Sequence, residues 1–115
     1  MGAYCERAAA EYLKKKHYKL YDFNFRTRFG ELDLIFTYKS KYIVFVEVKA
    51  RDVNSIAAPR EFADAAKQQR LIQSAMVFMQ RYPTKLQPRF DVVEVLYEKE
   101  AIKSVNHLEN AFTLD

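Results

Sequence analysis

Gly30–Arg51 reads GELDLIFTYKSKYIVFVEVKAR, and the fold turns on how it is read. Two apolar runs, residues 31–38 and 42–50, flank a polar Lys39-Ser40 turn, which predicts an antiparallel hairpin. Charge interrupts both runs: Glu31 and Asp33 open the first, and Glu47 and Lys49 close the second. Charge in a core strand is costly unless it is paired or binds a metal. Strict alternation puts Glu31, Asp33 and Ile35 on one face of their strand. It puts Ile43, Phe45, Glu47 and Lys49 on one face of the next, with Val44, Val46 and Val48 on the other. A strand apolar on both faces is expected at the centre of a sheet. Antiparallel pairing brings the start of the first strand beside the end of the second. Three acids and a lysine therefore gather at one end of the sheet.

The flanking sequence supplies the layers. Residues 3–16 predict a helix, with Tyr4, Ala8, Ala9, Tyr12 and Leu13 at helical spacing, and 19–26 predict an edge strand. Pro59 suits the first position of a second helix that runs to about Tyr82 and stops near Pro83. Its apolar stripe is Phe62, Ala65, Ala66, Ile72, Ala75, Met76 and Met79. Residues 89–97 predict a strand, with Arg89 paired to Asp91 on one face; 101–105 predict a short strand, and the tail a helical turn. The order α-β-β-β-α-β-β predicts an α/β fold, a mixed sheet with helices packed on it.

With 115 residues, half of them hydrophobic, the chain suits one domain, 1–115, with one proper core. No apolar run approaches the ~20 residues of a membrane span. With no signal-peptide core at its start, a cytoplasmic location is expected. The sole cysteine, Cys5, excludes an internal disulfide or a cysteine-rich zinc site and is expected to be a packed thiol. His17 and His107 lack metal-ligand spacing, and His107 is expected to pack or cap near the C-terminus. Tyr18, Tyr21, Phe23 and Phe25 are expected in core or edge packing, with base stacking as the alternative.

Net charge is +4, and residues 1–30 hold seven Lys and Arg against three Asp and Glu. Such a first third, led by Lys14, Lys15, Lys16, Lys19, Arg26 and Arg28, is either a polyanion surface or a solvated helix end that complements the dipole. The acids also have two readings. In one, Lys49 pairs with Asp33 or Glu47, while Arg26, Arg28 or Arg51 takes another acid. In the other, the acids bind a divalent cation such as Mg²⁺, which takes carboxylate oxygens, water and substrate phosphate. A neighbouring lysine then suits phosphodiester hydrolysis.

Asp33 followed by Glu47-Val48-Lys49 resembles the D…(D/E)xK signature of the restriction-endonuclease-like superfamily. More of the chain resembles the YraN-like bacterial family of endonuclease-like proteins, related to archaeal Holliday-junction resolvases. The matching pieces are Glu6…Ala9…Tyr12-Leu13, Asn24…Arg26, Gly30 to Ile35, Val44 to Arg51, Pro59…Glu61, Lys67-Gln68…Arg70-Leu71, Arg89 to Val93 and His107…Asn110-Ala111-Phe112. Cys5, where a glycine often precedes the helix glutamate, and Ala57, near an expected loop glycine, depart from the pattern.

The resemblance implies a restriction-endonuclease-like mixed central sheet flanked by helices. It implies a Mg²⁺- or Mn²⁺-dependent endonuclease acting on nucleic acid, DNA before RNA, with structured or branched DNA as a candidate substrate. Asp33 and Glu47 would be metal ligands, joined by the Val48 carbonyl, with Lys49 the motif lysine. Glu6 matches a first-helix acid that joins the site in resolvase relatives, and Glu31 is an accessory acid. Lys15, Lys16, Arg26, Arg28 and Arg51, with Lys67 and Arg70 sharing a face of the second helix, form the nucleic-acid-binding set. Resolvase-like enzymes often dimerise, and the last strand and tail offer a homodimer interface. The alternative is a non-catalytic nucleic-acid-binding or protein-interaction module on the same fold.

Overall fold

The computed structural model describes residues 2–55 and 65–113. Helix α1 spans Gly2–Lys15. It stops because His17 takes a left-handed conformation, φ 71°. The His17 N–H then donates to the Lys14 carbonyl and the Tyr18 N–H to the Leu13 carbonyl, both at 3.0 Å. That pair of bonds satisfies carbonyls the helix end would leave orphaned. Leu13 and Tyr18 bury together in the same core cluster.

Strands β1 (Lys19–Thr27), β2 (Gly30–Tyr38) and β3 (Tyr42–Asp52) follow as an antiparallel meander. Lys39 and Ser40 both have positive φ, 57° and 52°. The Lys41 N–H closes this turn on the Tyr38 carbonyl at 3.0 Å, as the expected two-residue hairpin turn requires. After a 3₁₀ turn at Val53–Ser55, helix α2 (Ala65–Arg81) carries the chain back across the sheet. Strand β4 (Gln87–Glu98) therefore lies parallel to β3, and β5 (Ala101–Phe112) returns antiparallel to β4. The sheet order is β1-β2-β3-β4-β5, so β3 is central and β1 an edge, as expected. The expected helix start at Pro59, with Phe62, Ala57 and Glu61, lies outside the described residues. No helix among the described residues is long and apolar enough to cross a membrane.

Each face of the sheet has its own core. Toward α1 lie Cys5, Ala9, Leu13, Tyr18, Leu34, Phe36, Val44, Val46, Val93 and Val95. Toward α2 lie Phe25, Leu32, Ile35, Ile43, Phe45, Leu71, Ile72, Ala75, Phe78 and Phe90. Cys5 is wholly buried, and that burial raises its thiol pKa.

The tail corrects an expectation. In place of a short strand and a helical turn, β5 runs twelve residues. Its polar residues hid it: His107 answers Asp91 and Glu109 accepts from Tyr18, rather than lining an apolar face. The His107 Nε2 lies 2.6 Å from Asp91 Oδ2, and the Asn110 N–H donates to Asp91 Oδ1 at 3.0 Å. Arg89 grips both Asp91 oxygens, at 2.9 and 2.8 Å, and donates to the Tyr18 hydroxyl at 2.6 Å. Its guanidinium lies 4.9 Å from the Tyr42 ring centroid. The expected Arg89–Asp91 pair is therefore the centre of a buried network that ties β5 and the start of β1 to β4.

Burial alone would raise the Asp91 pKa, but bonds from His107, Arg89 and Asn110 outweigh it and hold the carboxyl below its ordinary range. Asp91→Ala strands a buried guanidinium and should cost about 3–5 kcal/mol in urea unfolding at neutral pH. With the folded pKa depressed, Asp91's contribution is present above the unfolded carboxyl pKa of about 3.9 and fades as pH falls through the lower folded value. The gap between wild type and variant should therefore narrow in acid.

Candidate functional site

The sheet comes apart at one point. Pairing of β2 with β3 runs from Tyr38↔Tyr42 to Leu34↔Val46 and stops. Below it, β2 stays paired with β1 down to Gly30, and β3 with β4 out to Asp52. Asp33 fills this fork, its Oδ2 accepting the Val48 N–H at 2.9 Å. The bond satisfies a backbone donor that the broken ladder would leave bare.

The fork also removes Ile35 from the face expected to carry Glu31 and Asp33, which stay together. Leu32 and Ile35 both sit in the α2-side core, whereas Leu34 and Phe36 face α1. Strict alternation fails between them because β2 is no longer held to β3 at that point. On β3 the expected parity survives: Glu47 follows Ile43 and Phe45 on the α2 side, where Lys67 of α2 meets it.

Acids reach the fork from several elements. One carboxylate oxygen each from Glu6 of α1, Glu31 and Asp33 lie within 4.8 Å of one another. Asn24 of β1, in a left-handed conformation at φ 50°, turns its amide nitrogen to Glu6 Oε1 at 3.2 Å and Glu31 Oε1 at 3.1 Å. Glu47 is buried, and its Oε1 lies 2.6 Å from the Lys67 ammonium. A cleft of about 190 Å³ opens here, lined by Phe29, Gly30, Glu31, Asp33, Glu47, Lys67, Arg70 and Leu71.

Burial first, then the negative charges of Glu47, Glu6 and Glu31, push the Asp33 pKa up to about 7 against the opposing Val48 hydrogen bond. Burial and the charges of Glu31 and Glu47 also raise the Glu6 pKa. Among the described residues the cluster offers carboxylate oxygens without histidine or cysteine, the donor set a hard divalent cation takes.

The candidate cations separate. Lys49 makes no ion pair among the described residues; Glu47 takes Lys67 instead, so the pairing expected of Lys49 is absent. Lys67 and Arg70 line the acidic cleft. Arg26 pairs with Glu31 at 3.1 Å and Arg51 with Glu94 at 3.3 Å. Arg28 lies over the Phe29 ring, 4.8 Å from its centroid. Lys15 and Lys16 are at the other end of α1 from Glu6, where Lys16 Nζ donates to His107 Nδ1 at 2.9 Å. Tyr18 and Phe25 are buried, whereas Tyr21 and Phe23 are 51% and 58% exposed on the edge strand. Asn24 was assigned no site role from the sequence; its signals were its place in the family-matching piece Asn24…Arg26 and a polar side chain between Phe23 and Phe25.

A sequence model described as uncharacterised protein family UPF0102 matches residues 5–95. A UPF0102 protein of Caldanaerobacter subterraneus is 44% identical, over 97% of this chain and 93% of its own. Another from Alkaliphilus metalliredigens is 42% identical over 97% and 96%. A third, from Syntrophomonas wolfei, is 41% identical with the same coverage.

Asp33→Asn keeps an acceptor for Val48 and removes the charge. Because the folded pKa is raised, wild type is unpenalised below the unfolded value of about 3.9 and loses stability as pH rises to about 7. In EDTA the variant should match wild type near pH 4 and exceed it by about 0.5–2 kcal/mol at pH 8, the gain expected when a strained site is relieved. Urea unfolding at the two pH values measures this. A variant less stable than wild type at pH 8 would show the carboxylate to be a paired structural charge.

Proposed function

The chain belongs to the UPF0102 family, a description that carries no activity, and we propose that it is a divalent-metal-dependent nuclease acting on nucleic acid, DNA before RNA. One observation carries this reading. Carboxylates from α1, β2 and β3 converge on a fork in the sheet, beside two cationic side chains of α2 in a shared cleft.

Asp33, Glu31 and Glu6 would hold Mg²⁺ or Mn²⁺, with Glu47 completing the set once released from Lys67. Bound there, the ion would offset charge on the scissile phosphate and lower the pKa of an attacking water. The remaining work belongs to the chain. The Val48 N–H fixes Asp33, and the Asn24 amide orients Glu6 and Glu31. Lys67 and Arg70 present cationic donors to a phosphate entering the cleft, a contact that fixes orientation before reaction. Lys49, two residues beyond Glu47, supplies the motif's ammonium to orient water or offset transition-state charge.

The Lys67–Glu47 pair favours a second reading, a nucleic-acid-binding module without cleavage, because it already neutralises one acid. Thermal melts and cleavage assays separate the two. Millimolar Mn²⁺ should stabilise wild type by RT ln(1 + [L]/Kd), about 2.7 kcal/mol at a hundredfold excess over Kd, and leave Asp33→Asn unmoved. On single-stranded, duplex and branched DNA with Mg²⁺ or Mn²⁺, Asp33→Asn and Lys49→Ala should each lose cutting by about a hundredfold or more. A wild type whose melting ignores both metals sinks the nuclease reading. Metal-dependent melting without cutting of any substrate selects the binding module.

A further inference from the structure

Arg28 and Phe29 form the tip of the β1–β2 hairpin, between the paired Thr27 and Gly30. This tip is fastened to α2. The hydroxyls of Thr27 and Ser74 lie 2.8 Å apart, and Ser74 is wholly buried. Thr27 Oγ1 also donates to the Gly30 carbonyl at 3.1 Å and accepts the Phe29 N–H at 3.0 Å. Gly30 follows at φ 150°, a conformation that a side chain would strain. The tip therefore holds a fixed position over α2.

Between the tip and the last turns of α2 lies a second cleft of about 490 Å³, lined by Arg26, Thr27, Arg28, Phe29, Val77 and Arg81. Its two outer arginines lie on aromatic rings: Arg28 is 4.8 Å from the Phe29 centroid and Arg81 5.5 Å from that of Phe25. Stacking orients a guanidinium while leaving its N–H edge open to a ligand. Among the described residues neither has an acidic partner; Arg26 alone does, and that partner is Glu31 of the acidic cleft. Phe29 lines both clefts and the Arg26–Glu31 pair lies between them, so the two adjoin.

We propose that this arginine cleft binds the sugar–phosphate backbone of a nucleic acid and feeds the strand toward the acidic fork, an inference that rests on the nucleic-acid reading above. A helix dipole would account for Arg81 in the last turn of α2, but not for Arg28 facing it from another element. Planar guanidinium forks match phosphate oxygens, and Phe29 and Val77 offer apolar surface to sugar or base. Five residues, the hairpin tip and the first residues of β2, separate Arg28 from Asp33, at most about 16 Å at ~3.3 Å each. That distance is about five steps of a duplex at ~3.4 Å rise. Arg28 and Arg81 are thus phosphate ligands, and Arg81 is one that charge counting along the first thirty residues passes over.

The test is fluorescence anisotropy of a labelled DNA duplex of about 20 base pairs in EDTA, across a salt series from about 50 to 200 mM. Cleavage plays no part under these conditions. Arg28→Gln combined with Arg81→Gln should weaken binding about tenfold and reduce the salt slope by about 2, the counterions of two phosphates. Lys39→Gln combined with Lys41→Gln removes equal charge at the β2–β3 turn, the opposite end of β2 from the fork, and should leave slope and affinity near wild type. The arginines are exposed, so thermal midpoints should not move. Equal weakening by both pairs would reduce the effect to net charge and overturn this inference while leaving the nucleic-acid reading intact. A wild type that binds no DNA at the lowest salt would overturn both.

Discussion

The hydrogen bond from the Val48 N–H to Asp33 is the interaction on which the site depends. A ladder that stops inside a sheet exposes backbone donors, and leaving one buried and unsatisfied costs about 1–3 kcal/mol. Asp33 removes that cost by standing in for the missing strand. The same bond holds a carboxylate in the gap between β2 and β3, where neither helix layer screens it from the other. Glu6 can then approach from α1 and Glu47 from the α2 side. In a continuous sheet, those two acids would be separated by the backbone. The fork is what turns scattered charge into a cluster.

Much of the architecture was legible because its signals were local. The Lys39-Ser40 turn needed no tertiary information, nor did the two-sided apolar run of β3, which fixed it at the centre. Helix α1 was equally plain, although its stop was not: His17 does there what glycine usually does, and nothing about histidine announces a left-handed residue. The length of β5 was hidden for a different reason. Its polar residues complement Asp91 and the pairs around it on another strand, so a strand with a real partner resembled a polar tail.

In the candidate site, the gathering of the acids was legible and their pairings less so. Asp33, Glu47, Glu6 and Glu31 are brought together, but alternation also put Ile35 with Glu31 and Asp33, and it lies with Leu32 on the α2 side instead, since alternation assumes a strand held on both sides. The cation beside Glu47 is Lys67, not Lys49 two positions along the strand, and a helix-to-strand contact has no signature in spacing. Arg28 and Arg81 show the same limit. They are fifty-three positions apart and line one cleft because β1 packs on α2, through the Thr27–Ser74 hydroxyls and Phe25 against Phe78.

Asp33 and Asp91 show how partners decide the charge of a buried carboxyl. Both are carboxylates withdrawn from water in a strand of the same sheet. Asp91 has an arginine fork, a histidine and a backbone N–H, and its pKa falls. Asp33 has one backbone N–H and three acidic neighbours, and its pKa climbs to about 7. Burial pushes both the same way, so the difference lies wholly in partners. Arginine is at hand for Asp33 in Arg26 and Arg70. Arg26 instead takes Glu31 at the cleft's edge, and Arg70 lines the cleft. The fold therefore holds Asp33 in place by one backbone bond, with no cationic partner against it among the described residues.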